Sequence, residues 1–336
     1  MTGMNHLLGL RELDVRHIRG ILATASNLRE ILDRSVKKVP TLRGRTVVTL
    51  FYEASTRTRT SFELAAKYMS ADAVNISVAQ SSVSKGESLK DTLRTLESVT
   101  ADCIIIRHSS SGAAHLAARH LRIPVINAGD GRHEHPTQGL LDALTIADVK
   151  KRGMGSAQGT GAFDLSGLTV TIVGDIAHSR VARSNVWGLT KLGASVRWCG
   201  PATLMPADAS SLPVSVTTDL KEGLAGADVV MVLRLQTERM ERGLLPSTRE
   251  YARVWGVTPR ALNWAKPDVL VMHPGPMNRG IEISADVADG LARGEVAIER
   301  QVRNGVAVRM ACLYLLMDPA ADASHEASGR SRGGAD

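Results

Sequence analysis

Aromatic residues are scarce in this chain, with Phe, Trp and Tyr making up 3% of 336 positions. That argues against a surface for single-stranded nucleic acid, because such surfaces stack bases on aromatic rings. Cysteine is scarce too: Cys103, Cys199 and Cys312 stand far apart in apolar surroundings, with no Cys-x-x-Cys pair. An odd, scattered set argues for buried, reduced thiols in a cytoplasmic protein, and nothing beside them suggests a catalytic cysteine. No apolar run is long enough to span a bilayer, and the N-terminal MTGMNHLLGLRELD lacks a basic segment leading into a sustained apolar one. Neither a membrane segment nor a secretory signal is expected. The formal charge of +7 comes from dispersed basic residues. Small anionic substrates fit that distribution better than nucleic acid. A glycine-rich phosphate loop is also missing. The G-x-G near Gly153, in RGMGSAQGTGAFDLSG, follows no strand, so a dinucleotide fingerprint is rejected there in favour of a surface loop.

What is present is a chain long enough for two cores, 43% hydrophobic, in which apolar strands alternate with helical periodicity. A helix is expected over Leu13 to Val36, then a strand Thr46 to Tyr52, a helical run Thr60 to Met69 and a strand Val74 to Val78. The polar loop Gln80 to Ser88 leads to a helix over Leu89 to Val99, a strand Cys103 to Ile106, a helix Gly112 to Leu121 and a strand Pro124 to Asn127. Gly139 to Lys150 reads as a helix bridging two domains. The alternation restarts with strands at Leu168 to Val173, Ser195 to Cys199, Val214 to Thr217, Val229 to Leu233 and Val269 to Met272, and a helix at Ser179 to Leu192. Gly305 to Met317 reads as a closing apolar helix, and residues 318–336 as a disordered tail. The expected fold class is α/β, with two doubly wound parallel-sheet (Rossmann-like) domains and the active site in the cleft between them. The expected domains are 1–138, completed by a helix at about 300–317, and 139–299.

Ligands of such sheets bind at the carboxyl ends of the strands. The chain is organised around FYEASTRTRTSFELAAK, Phe51 to Lys67, where a strand runs into a helix through Ser55, Thr56, Arg57, Thr58 and Arg59. Unpaired N–H groups, the positive end of a helix and a guanidinium that grips two oxygens make a phosphate cradle there. The plainer reading is an N-cap followed by solvated arginines. Arg107 and His135 also follow strand ends, so they could converge with Arg57. In HEHPTQ, His133 and His135 could ligate a metal from one face of an extended segment, with Glu134 between them. Arg180 just inside a helix, and Arg234 and Gln236 after a strand, would by default be surface groups.

The whole string FYEASTRTRTSFE resembles the carbamoyl-phosphate signature of the aspartate and ornithine carbamoyltransferases, whose core pattern is S-x-R-T-R. The segments SSVSKGE, IIIRHSSSGAAH, HEHPTQ and VMHPGPMNRGIEI resemble other parts of that family, and the likeness runs from about Leu7 to Met317. It implies that Ser55, Thr56, Arg57, Thr58, Ser81 (or Ser82), Arg107, His135, Gln138 and the carbonyls of Gly275 and Pro276 hold carbamoyl phosphate. Arg57, Thr58, Lys85, Arg107 and His135 would be catalytic, with His135 polarising the carbonyl oxygen and Gln138 holding the carbamoyl nitrogen. Lys85, Arg180, Arg234 and Gln236 would bind the amino-acid substrate. Where ornithine-specific members read D-x-x-x-S-M-G and H-C-L-P, this chain reads Asp228-Val-Val-Met-Val-Leu-Arg234 and His273-Pro-Gly-Pro276. An arginine there suits a second carboxylate and repels an amine, so L-aspartate is the implied acceptor. The resemblance also implies a cytoplasmic homotrimer with shared active sites and no metal or organic cofactor, and it leaves open whether a regulatory chain or another pyrimidine-pathway enzyme is a partner. A carbamoyltransferase for another amino acid, or a non-catalytic anion-binding paralogue, are the alternatives.

Overall fold

The computed structural model describes residues 4–77, 87–150, 163–236 and 243–317. The chain divides into two compact units, Met1–Thr137 with Gly305–Asp336, and Gln138–Asn304.

In the first unit, helix α1 (Val15–Leu28) opens on Asp14, whose carboxylate accepts from Arg16 N, and buries Ile18, Ile21, Leu22 and Ala25. Their spacing is that of one helical face. The helix does not reach Val36 as its periodicity suggests. After Leu28 the chain tightens into a 3-10 turn, Arg29–Asp33, in which Ile31 alone is buried. Polar Arg29, Glu30, Asp33 and Arg34 leave no apolar stripe to reward further α-helix. Strand β1 (Thr46–Phe51) follows, then α2 (Thr56–Tyr68), β2 (Asp72–Ser77), α3 (Leu89–Ser98), β3 (Cys103–His108), α4 (Ala113–His120) and β4 (Val125–Asp130). All pairings are parallel and the strand order is β2-β1-β3-β4. Val48, Leu50, Ile104, Ile106 and Val125 on one sheet face pack with Leu93 and Leu96 of α3 and Ala114 and Ala117 of α4. Each such Leu or Ile contributes roughly 1.5–3 kcal/mol through burial.

Helix α5 (Pro136–Val149) carries the chain from the first unit into the second. It begins at Pro136, not Gly139, because proline is pre-set for the first helical position. The second unit continues with β5 (Thr169–Val173), α6 (Arg180–Lys191), β6 (Ser195–Cys199), β7 (Ser215–Thr217), α7 (Leu220–Leu224) and β8 (Val229–Val232). Then come α8 (Thr248–Trp255), α9 (Pro259–Leu262), β9 (Leu270–Met272), α10 (Ala285–Ala288), β10 (Glu295–Val296) and, passing into the first unit at Gly305, α11 (Ile298–Leu316). Its sheet is parallel throughout, in the order β10-β9-β8-β5-β6-β7. Around it Val230, Val232 and Val271 pack with Leu220, Leu224, Ala261, Leu262, Ile283 and Val287. Both sheets fit the expected doubly wound α/β architecture. Among the described residues no helix is long and apolar enough to cross a membrane.

Candidate active site

Strand order selects one place in each sheet. In the first unit the chain winds from β1 outward to β2, then returns past β1 to β3 and β4, so the direction reverses between β1 and β3. In the second it winds from β5 to β6 and β7, then reverses to β8, β9 and β10, so the switch lies between β5 and β8. Carboxyl ends at such switch points are where open α/β sheets bind ligands.

Arg57 and Arg107 flank the first switch. Phe51, the last residue of β1, pairs with Arg107 near the end of β3, and Tyr52 N donates to Arg107 O at 2.9 Å. Four residues on, α2 begins at Thr56, earlier than the expected Thr60, so Thr56, Arg57 and Thr58 form its first turn. The apolar pattern could not reveal this start, since Thr56 to Arg59 are all polar. Asp14, Ser88, Ser179, Asp219, Ser247, Thr258 and Ser284 each cap their helix through the side chain. Ser55 makes no side-chain cap bond, leaving the donor-rich end of α2 uncapped by its own residue. Arg57 and Thr56 are exposed there, and Thr58 is buried. The Arg107 guanidinium is held by Ala128 O, 3.2 Å from Nη1, and by Glu53, whose Oε2 lies 3.4 Å from Nε. Glu53 thus orients an arginine from within the same string that supplies the phosphate cradle. Its role was not anticipated from the sequence.

His135 arrives on a loop with little freedom. Asn127 Nδ2 donates to Asp130 Oδ1 at 2.8 Å and to Leu8 O at 2.8 Å, and Glu134 N donates to Asp130 Oδ1 at 3.1 Å. The Glu134 carboxylate accepts from Leu10 N at 2.8 Å and Arg11 N at 3.0 Å. Gly131 has φ +48, and a Cβ there would meet Ser111 N at 2.6 Å, so the turn accepts no larger residue. Burial raises the Asp130 carboxyl pKa, but hydrogen bonds from His133, Asn127 and Gly112 N outweigh it and leave the pKa lowered. His133 is raised, chiefly by its hydrogen bond to Asp130. His135 itself is buried, one residue ahead of α5.

At the second switch, Leu233 N donates to Val173 O at 2.8 Å, setting the ends of β8 and β5 side by side. Gly174 permits this approach, with φ +125 and a Cβ position only 3.2 Å from Leu233 O. Asp175 follows. One of its oxygens lies 2.7 Å from His178 Nδ1 and the other accepts from Gln236 N at 3.3 Å. That carboxylate therefore ties the segment bearing Arg234 and Gln236 to the turn that opens α6 at Arg180. Arg180 is buried, not a surface charge, and Arg234 is half-buried. Asp228 sits at the other end of β8, where it accepts from Thr169 N at 2.9 Å and Lys266 Nζ at 2.7 Å.

A buried hub in the second unit joins the remaining residues. Asp142 Oδ1 accepts from Gln138 Nε2 at 2.9 Å and Gln301 Nε2 at 2.8 Å, and Oδ2 accepts from Asn185 Nδ2 at 2.8 Å. A carboxylate only accepts, so the Gln138 amide must turn its nitrogen to Asp142 and keep its oxygen for a ligand. Gln301 Oε1 in turn accepts from His273 N at 2.9 Å. His273 Nδ1 accepts from Gly275 N at 2.8 Å, which puts its proton on Nε2, 3.3 Å from buried Glu282. Gln138, the Arg180 helix and the Gly275–Pro276 loop thus share one anchor. These bonds also explain why α11 starts at Ile298 and not Gly305. Gln301 and Asn304, polar residues ahead of the apolar run, are buried partners of Asp142, Thr145 and Asp148. Asp142 lies four residues after Gln138, the spacing that puts two side chains on one helix face, so this link was available from spacing alone.

Ser81, Ser82 and Lys85 lie outside the described residues. His133, which could have paired with His135 over a metal, groups instead with His115 and Asp130.

Residues 5–148 match the family model described as "Aspartate/ornithine carbamoyltransferase, carbamoyl-P binding domain", and residues 166–316 match "Aspartate/ornithine carbamoyltransferase, Asp/Orn binding domain". The chain is 59% identical over 311 residues to the aspartate carbamoyltransferase catalytic subunit of Heliobacterium modesticaldum, covering 93% of this chain and 95% of that one. It is 58% identical over 310 residues to the same subunit of Pelotomaculum thermopropionicum, with coverage of 92% and 96%. Among solved structures, aspartate transcarbamoylase from Trypanosoma cruzi in complex with carbamoyl aspartate and phosphate matches with a TM-score of 0.78 at 31% identity, covering 92% and 95%. Ornithine carbamoyltransferase from Pyrococcus furiosus matches with a TM-score of 0.81 at 28% identity, covering 95% and 99%.

Proposed function

The chain belongs to the aspartate/ornithine carbamoyltransferase family, and we propose on that premise that it is an aspartate carbamoyltransferase catalytic chain. The amine of L-aspartate attacks the carbonyl carbon of carbamoyl phosphate, forming a C–N bond and a tetrahedral intermediate. The intermediate collapses with cleavage of the C–O bond to phosphate, and the amine proton leaves with that phosphate. The products are N-carbamoyl-L-aspartate and phosphate, a step of pyrimidine synthesis.

The observation that carries the reading is the pairing of arginines at both switch points, Arg57 with Arg107 and Arg180 with Arg234. In the first unit, the uncapped end of α2 and the guanidiniums of Arg57 and Arg107 suit a phosphate. Thr58, Arg107 and His135 serve the developing oxyanion, a role that rewards fixed donors more than a strong base. In the second unit, Arg180, Arg234 and Gln236 suit the two carboxylates of aspartate. Gln138 Oε1 and the carbonyls of Gly275 and Pro276 accept from the carbamoyl amide. Arg234 stands where ornithine-specific members have a neutral S-M-G, which favours aspartate. The deciding experiment measures ureido product from carbamoyl phosphate with L-aspartate and, in parallel, L-ornithine. Turnover with aspartate alone is expected, and turnover with ornithine would sink the specificity assignment.

Arg234→Ala is expected to raise KM for aspartate by about 10²–10⁴-fold, since two charge-assisted hydrogen bonds of about 1.5–3 kcal/mol each are lost. Carbamoyl phosphate binding should stay within a few-fold of the parent, as equilibrium dialysis would report. Unchanged saturation by aspartate would remove Arg234 from the site.

The assembly belongs to the same proposal: a cytoplasmic homotrimer in which Ser81 and Lys85 of one copy complete a neighbour's site. Arg57→Ala and Lys85→Ala variants, each inactive alone, should then regain activity when dissociated and reassembled together. Continued inactivity of the mixed trimer would mean that each chain's site is its own.

A further inference from the structure

We propose that His115, Asp130 and His133 form a binding site for a first-row divalent cation of the zinc type, separate from the reaction chemistry. One ligand atom from each of the three lies within 4.8 Å of the other two. They come from three places in the first unit, namely α4, the end of β4 and the loop leading to His135. His133 Nδ1 and Asp130 Oδ2 are 3.1 Å apart. Two ligands on one tetrahedral zinc, each bonded at about 2.0–2.2 Å, stand at close to that separation. The ion would take the place of the proton they now share.

The lone pairs support this choice of donors. Asp130 Oδ1 already accepts from Asn127 Nδ2 and Glu134 N, whereas Oδ2 accepts from Gly112 N at 2.7 Å and otherwise faces His133. One lone pair of Oδ2 is therefore open to a metal when His133 gives up its proton. His115 Nε2 lies 3.2 Å from Glu12 Oε1, so this nitrogen carries the proton and Glu12 orients the ring. The other nitrogen, Nδ1, then holds a lone pair, and it is buried with no hydrogen-bond partner. A histidine held by a carboxylate through one nitrogen while the other faces a ligand is the usual outer-shell arrangement of metal sites. Two imidazoles and one carboxylate favour zinc, cobalt or nickel over magnesium or calcium, which prefer all-oxygen sites. A fourth position is left for water. The cysteines offer no competing site, since Cys103, Cys199 and Cys312 are buried and burial pushes each thiol pKa up. An occupied site would pin α4 to the loop that delivers His135, stabilising the first unit without entering the reaction.

The test is calorimetric titration of chelator-treated full-length protein with Zn²⁺, alongside thermal melting with and without the ion. One equivalent per chain should bind and raise the melting temperature. His115→Gln and His133→Asn should each weaken that binding by more than the roughly 10–100-fold typical of losing an outer-shell partner. Both side chains are partly exposed, at 28% and 31%, so either variant should fold and keep its metal-free turnover. Absence of stoichiometric binding in the parent, or binding retained in both variants, would overturn the site.

Discussion

Arg57→Ala is expected to lower kcat/KM for carbamoyl phosphate by about 10²–10³-fold, the range seen when one preorganised donor to charge that develops in the transition state, here on the departing phosphate, is lost. Arg57 occupies the first turn of α2, where Ser55 leaves the helix end without a side-chain cap. A phosphate bound there meets backbone N–H groups, the positive end of the helix and a guanidinium that engages two oxygens. Alanine keeps the first two and removes the third. The residue is exposed, so folding should be unaffected and the melting temperature should stay within a degree or two. The loss should therefore appear wholly in kinetics. It should also exceed that of Arg57→Lys, which retains charge but not the two-pronged geometry. Steady-state rates against carbamoyl phosphate at saturating aspartate would test this. Parent-like activity of the lysine variant would show that the two-pronged geometry at this position does not matter.

Much of the first half-site was legible from residue order because its elements are simple. Arg57, Arg107 and His135 each follow an apolar strand, and parallel α/β sheets present their carboxyl strand ends on one edge. Which strands become neighbours was not legible. The switch points at β1/β3 and β5/β8 depend on winding order, which periodicity along one strand does not record. The buried polar contacts were also hidden. Glu53 reads as one charge in a polar turn, and only the fold brings its carboxylate to the Arg107 guanidinium. Gln301 and Asn304 interrupt an apolar pattern, so α11 appeared to start at Gly305. Buried amides bonded to Asp142, Thr145 and Asp148 extend it back to Ile298. The short elements α7, α9, α10 and β10, of two to five residues, are too brief for any period to show.

Asp142 offers the sharpest separation of structure from chemistry. Asp142→Ala should cost roughly 3–5 kcal/mol, because it strands the buried amides of Gln138, Gln301 and Asn185 that the carboxylate now accepts from. That loss alone would say only that Asp142 supports the unit. Asp142→Asn is the informative change. Its carboxamide has the same shape but one accepting oxygen and one donating nitrogen, so at least one of the three amides faces a donor. If Gln138 turns over to meet it, the glutamine presents N–H groups where the carbamoyl nitrogen needs an acceptor. The expected result is a fall in kcat/KM for carbamoyl phosphate on the order of 10–100-fold per folded molecule, one to two hydrogen bonds' worth. KM for aspartate should move less, because Asp175 still ties the segment bearing Arg234 to the turn that opens α6, even though Asn185 of that helix loses its carboxylate partner. Denaturant unfolding of the same variant gives the stability cost independently. A variant that loses stability yet keeps its kcat/KM per folded molecule would make Asp142 a purely structural residue. The Gln138 amide would then be oriented by something other than this carboxylate.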